Sequence, residues 1–165
     1  MTYSPFFLHG ADRPARWLIT CDHATNLVPP FVCGGDLGLP PEDMARHIAY
    51  DIGAYEVSKR LGAYLDAPVV ASNFSRLVID PNRGEDDPTV LMRLSDGAVV
   101  PGNAKADDKE RQKRLELYHR PYHNLIEETL DHMLEAGPPP VVISIHSYTP
   151  VWRGIPRPWH AGILW

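Results

Sequence analysis

The chain has 165 residues, 44% of them apolar and 22% charged, a balance that suits one packed domain and excludes a disordered or fibrous polypeptide. Its 16 basic and 21 acidic residues leave a formal charge of −5, which argues against nucleic acid as a partner, because such domains carry a basic face. The two cysteines, Cys21 and Cys33, form no ladder of spacings, which excludes a disulfide framework and fits a reducing, cytoplasmic setting.

In chain order, Met1 to Gly10 lacks the basic and apolar regions of a signal peptide. Trp17 to Cys21 reads as a buried strand, and the prolines from Pro29 to Pro41 mark a loop. Tyr50, Ala54, Val57, Leu61, Tyr64 and Leu65 recur at helical spacing, with Glu56 set to pair with Arg60 on the outer face. Pro68 to Ala71 is a second strand and Arg76 to Ile79 a third. The polar stretch from Asn82 to Asp107 holds Gly84, Pro88, Gly97, Pro101 and Gly102 and reads as a long functional loop. Leu115, Tyr118, Tyr122, Leu125, Thr129 and Met133 mark a long helix, which Pro121 is expected to kink or split and Gly137 with three prolines to stop. Val141 to Ile145 is a strand, Pro150 to Pro158 a rigid loop, and Ala161 to Trp165 a final strand. No apolar stretch approaches the roughly 20 residues that span a bilayer, so a soluble protein is expected.

Strands alternating with helices predict an α/β fold around a mainly parallel sheet. In such sheets ligands bind beyond the carboxyl ends of the strands. Two histidines lie there: His23, directly after the first strand, and His146, at the end of the strand that begins at Val141. Neutral imidazole is the commonest metal ligand, although two unrelated loop histidines would look the same. Asp51, at the start of the helical stripe, is the natural third ligand for a hydrolytic zinc site, or else a first-turn helix carboxylate. Asp22 is placed to orient an imidazole, and Cys21 reads as a buried, inert thiol. Arg76, Asn82 and Arg83 are candidates to hold substrate carboxylates by charge-assisted bonds, with structural pairing of Arg83 to Asp80 or Glu85 as the competing reading. His119 and His123 lie four apart, but the zincin glutamate is absent between them, so they read as core or surface histidines.

Five segments occur in one order along the chain: Cys21-Asp22-His23-Ala24-Thr25-Asn26, His47 to Ala54, Ser75 to Arg83, Ser144 to Pro150 and Arg157 to Trp165. Together they resemble the N-formylglutamate amidohydrolases. The resemblance implies a three-layer α/β/α sandwich like that of zinc exopeptidases, with Zn2+, or another divalent ion, held by His23, Asp51 and His146. It implies hydrolysis of the formamide bond of N-formylglutamate or a similar N-acyl amino acid, a small acidic substrate, as in histidine breakdown. Asn82-Arg83 looks like the Asn-Arg pair with which zinc carboxypeptidases hold a terminal carboxylate, and Arg76 would be a second anchor. Family members continue past the equivalent of Trp165, so a single domain over residues 1–165, shortened at its C-terminus, is expected. The late glutamate that serves related enzymes as general base has no evident counterpart. Glu85 and His160 are the candidates for proton transfer and hydrogen bonding at the site. A metal-binding module without the base, and a zinc amidase acting on peptides, are the alternative readings. Monomer and homo-oligomer both remain open.

Overall fold

The structure is a computed structural model that describes residues 3–152 and 154–164. A four-stranded sheet forms from β1 (Phe6–His9), β2 (Trp17–Cys21), β3 (Val69–Ser72) and β6 (Val141–Ser144), in the order β1-β3-β2-β6. β3, β2 and β6 are parallel, and β1 joins the far edge antiparallel. β2 and β3 are buried on both faces, as expected of continuous apolar runs in a parallel sheet. β1 carries no strong apolar alternation and was not anticipated; it is held by pairing Phe6 with Ser72 and His9 with Val69.

Successive residues of β2 and β3 feed opposite layers. Leu18 and Val70 join a core with Phe74, Leu77, Ile79, Leu115, Tyr118 and Tyr122. Ile19 and Val69, with Cys21 and Ala71, face the other way, toward the helix α2 (Ala54–Leu65). Helices thus cover both faces of the sheet. The helical segment was expected, but its buried face was not: it is made by Ala54, Ser58 and Gly62, while Val57 and Tyr64 face solvent. Small residues win because the helix lies close to the sheet. A Cβ at Gly62 would fall 2.2 Å from Val69 Cγ2. On its outer face Glu56 pairs with Lys59 at 2.6 Å rather than with Arg60.

The segment from Arg76 to Ile79 is a turn and not a third strand. Its carbonyls are taken by side chains: Asn103 Nδ2 donates to Leu77 O and Arg114 Nη1 to Val78 O. Both donors are buried, and Arg114 also donates to Asn103 Oδ1. The segment is therefore fixed as a buried loop, with Leu77, Val78 and Ile79 fully enclosed.

The polar stretch that follows contains a small hairpin, β4 (Leu94–Ser95) with β5 (Ala98–Val99), and a short helix, α3 (Pro101–Ala104). A further short helix, α1 (Pro41–Met44), ends the proline loop near the N-terminus. Asp107 caps α4 (Asp108–Arg114) by accepting from Glu110 N. A π-helical turn at Leu115–His119 then leads into α5 (Arg120–Ala136). The backbone stays helical from α4 through the π turn into α5, so the long helix is not split; Pro121 follows directly on the π turn, where the regular hydrogen-bond ladder is already interrupted. The Pro150 to Pro158 loop is a hairpin of β7 (Val151–Trp152) and β8 (Ile155–Pro156). Residues 161–164 form no strand, and Trp165 lies outside the described residues. No helix among the described residues is long and apolar enough to cross a membrane.

Candidate metal centre

β2 and β6 are parallel neighbours, with Thr20 opposite Ser144, so the residues just past their carboxyl ends arrive side by side. These are Asp22-His23 and Ile145-His146. Asp51 is brought to the same place by the backbone: its N–H donates to His23 O at 2.9 Å, and its own carbonyl accepts from Ala54 N at the start of α2. Gly53, with φ of 81°, makes the turn that a side chain there would strain.

His23, Asp51 and His146 each offer a ligand atom within 4.8 Å of the others. The two imidazoles are arranged alike. His146 Nδ1 lies 2.9 Å, and His23 Nδ1 3.4 Å, from Asp51 Oδ2. The opposite nitrogen of each ring meets a second carboxylate: His23 Nε2 donates to Asp80 Oδ1 at 2.7 Å, and His146 Nε2 lies 3.2 Å from Asp22 Oδ2. This is the carboxylate–histidine arrangement that fixes the tautomer and orientation of metal-binding imidazoles. His23 Nδ1 is buried and has no hydrogen-bond partner. With Nε2 committed to Asp80, Nδ1 presents a bare lone pair toward Asp51 and His146. A buried polar atom without a partner is costly, and a cation at this point satisfies it. The donor set of two imidazoles and a carboxylate therefore fits a divalent ion such as zinc, although the same donors suit several metals.

The supporting carboxylates are themselves held. Asp80, fully buried, accepts from Arg76 Nη2 at 2.8 Å and from Asn82 N at 2.9 Å. Asp22 accepts from Tyr122 Oη at 2.7 Å and Ser144 Oγ at 3.2 Å. Burial opposes ionisation of Asp51, Asp22 and Asp80, but hydrogen bonds from the histidines outweigh it and hold all three below the usual carboxylate range. Without a metal, bonds to Asp22 and then Asp51 lift His146 to about 9. Burial pushes the Cys21 thiol up to about 12, in keeping with an inert residue.

Other anticipated residues are dispersed. Arg76 is bound to Asp80 and lies 3.5 Å from Asp51 Oδ1, so its guanidinium is already committed to two carboxylates of the protein. Asn82 and Arg83 line a cavity of 440 Å3 together with Asp22, Glu85, His119 and His123. Arg83 does not pair with Asp80 or Glu85; its nearest carboxylate is Asp87, at 3.8 Å. Glu85 receives two bonds of 2.8 Å from Arg120, which keep its carboxyl below the ordinary range. His160 is exposed in the C-terminal segment and takes no part in the hydrogen bonds of the centre. Asp22 orients an imidazole as expected, but that of His146 and not its sequence neighbour. Asp80 and Tyr122 were missed as members of the network, because a carboxylate in a loop and a tyrosine in a helix carry no local signal of their partners.

A profile of the N-formylglutamate amidohydrolase family matches residues 15–163. The chain belongs to the N-formylglutamate amidohydrolase family. A solved gene product of Agrobacterium tumefaciens is similar to this family member at 33% identity and a TM-score of 0.89, over 94% of this chain and 61% of that one. An N-formylglutamate amidohydrolase from Ralstonia eutropha has 22% identity and a TM-score of 0.51, over 81% of this chain and 53% of that one, a likeness of fold alone. This family member thus spans less than two thirds of the length of either. No curated protein sequence matches it.

Proposed function

We propose that this chain is a metal-dependent amidohydrolase that cleaves the formamide or amide bond of N-formylglutamate or a similar N-acyl amino acid, with Zn2+ held by His23, Asp51 and His146. The observation that carries the reading is the meeting of those three side chains, with His23 Nδ1 buried and bare. When bound, zinc or another divalent ion supplies Lewis acidity toward a carbonyl and makes water more acidic. The chain's own residues do the rest. Asp80 and Asp22 keep Nε2 of the two imidazoles occupied, so that both Nδ1 atoms face inward. Arg83 is the less committed of the two cations along the cavity, since Arg120 is held by Glu85. With Asn82 beside it, Arg83 is placed to bind a substrate carboxylate by charge-assisted hydrogen bonds.

Arg76, expected as a second anchor, contributes in this reading by holding Asp51 and Asp80 from behind, and it meets substrate only at its exposed side. Glu85 shares the cavity with Asp22 and serves in proton transfer when Arg120 is drawn away from it. His160 has to swing in from the exposed segment to add a hydrogen bond. The proposed setting is the cytoplasm, where Cys21 and Cys33 stay reduced.

The test is formate release from N-formylglutamate by protein stripped with a chelator and then reloaded with zinc. Release that disappears and returns with the metal is the expected result. Stoichiometric metal without release would point to a binding module or another N-acyl substrate; neither metal uptake nor release by folded protein would refute the reading.

A further inference from the structure

The pair His119 and His123, four residues apart, has no place in the metal centre, yet it touches the segment beside it. His119 Nε2 lies 2.9 Å from Arg83 O, and His123 Nε2 lies 2.9 Å from Pro81 O. A carbonyl only accepts, so both Nε2 atoms carry hydrogen and both rings are fixed in one tautomer. The rings lie 4.5 Å apart across one turn of helix, and His119 Nδ1 is buried without a partner. Between the two gripped carbonyls, Asn82 N donates to Asp80 Oδ1. The turn from Pro81 to Arg83 is thus held at three consecutive residues, by α5 and the preceding π turn on one side and by the metal centre's Asp80 on the other.

We propose that His119 and His123 are positioning residues that hold this turn so that Asn82 and Arg83 present their side chains to the cavity. The inference rests on the reading of Arg83 as substrate anchor. A loop bonded at consecutive carbonyls loses little further freedom when ligand binds, and that saving appears in affinity for the carboxylate rather than in the chemical step. The π turn supports the assignment: the extra residue in that turn sets the register that brings His119 and His123 under the loop while Tyr122, between them in sequence, reaches Asp22.

Two substitutions at each position separate the bond from the bulk. Glutamine places an amide N–H near the position of Nε2, whereas asparagine is too short and reaches only as far as Nδ1. His123→Asn is expected to raise KM for N-formylglutamate about tenfold, the worth of a hydrogen bond of ordinary strength, with kcat changed less than about threefold and metal content unchanged. His123→Gln is expected to return KM to within about threefold of wild type. His119 should behave the same way, and the half-buried His123 keeps the test open if His119 variants fold poorly. Calorimetric binding of glutarate, a plain dicarboxylate, reads the same effect without turnover. Wild type that releases no formate defeats the parent reading alone, and glutarate affinity still decides this one. Equal KM and equal glutarate affinity in wild type, Asn and Gln variants, no glutarate binding to wild type, or loss of metal together with kcat at unchanged KM, would each overturn the inference.

Discussion

The two halves of the centre are built alike and housed differently. His23 follows β2, the strand buried on both faces, and is 1% exposed; its carboxylate, Asp80, is 0% exposed and bound by Arg76 and Asn82. His146 follows β6, an edge strand whose Val141 and Val142 are open to solvent, and its side chain is 34% exposed. The imidazole–carboxylate pair is therefore wholly enclosed on one side, while on the other the carboxylate is buried and only the ring is partly open. Burial of the first makes it a structural element whose loss is felt by the whole domain. The open ring of the second makes its removal the milder change for folding.

The sharpest way to break this comparison is to remove each carboxylate or imidazole in turn. Asp80→Ala leaves Arg76 and His23 without their buried anion and is expected to cost about 3–5 kcal/mol in denaturant unfolding, together with metal affinity. His146→Ala is expected to abolish metal binding while costing less stability than Asp80→Ala in the metal-free protein, because Asp22 keeps Tyr122 and Ser144, and Asp51 keeps Arg76, as partners. Similar losses of stability from the two variants would show that the halves are equally structural.

Smaller effects come from protons. In metal-free protein His146 titrates near 9, above the ordinary 6.5, so its contribution to stability is complete below 6.5 and is lost as pH rises through about 9. His119 is shifted the other way, downward, by burial first of all; its contribution is complete above 6.5 and declines as pH falls below that value. Thermal melts across this range should therefore show an alkaline loss of a few degrees that His146→Ala lessens, with His23, also shifted upward, supplying the remainder, and an acid loss that the same variant leaves in place. A fall in Tm between neutral pH and 9 that is undiminished in His146→Ala would assign it elsewhere. The mildest expected contrast is in thiol chemistry. Cys21, at the end of β2, should resist alkylation in the folded protein, while the exposed Cys33 reacts. Mass spectrometry of the labelled chain reads both.

The same comparison explains what the sequence revealed. β2, β3 and β6 announce themselves as short apolar runs, and the position of His23 and His146 just past two of them follows from the rule for parallel sheets. Asp51, three residues before α2, read by type alone as a helix-start carboxylate, and only the family resemblance marked it as a partner of the two histidines. The turn from Arg76 to Ile79 misled, since its enclosed Leu77-Val78-Ile79 has a strand's composition and only the side chains of Asn103 and Arg114, far along the chain, show where its carbonyls go. The buried face of α2 misled for a related reason: Gly62 packs against Val69 because it is small, which an apolar periodicity does not register. Asp80 and Tyr122 act across distances of 57 and 100 residues, and nothing local marks them.

The central claim, that His23, Asp51 and His146 jointly hold one metal ion, is tested most directly by metal stoichiometry. Purified wild type and His23→Ala, Asp51→Ala and His146→Ala variants would be loaded with zinc, desalted and measured by mass spectrometry of the element, with circular dichroism to confirm folding. The account predicts about one ion per wild-type chain and loss of it in every folded variant. Full zinc retained by folded His146→Ala and Asp51→Ala proteins would contradict it.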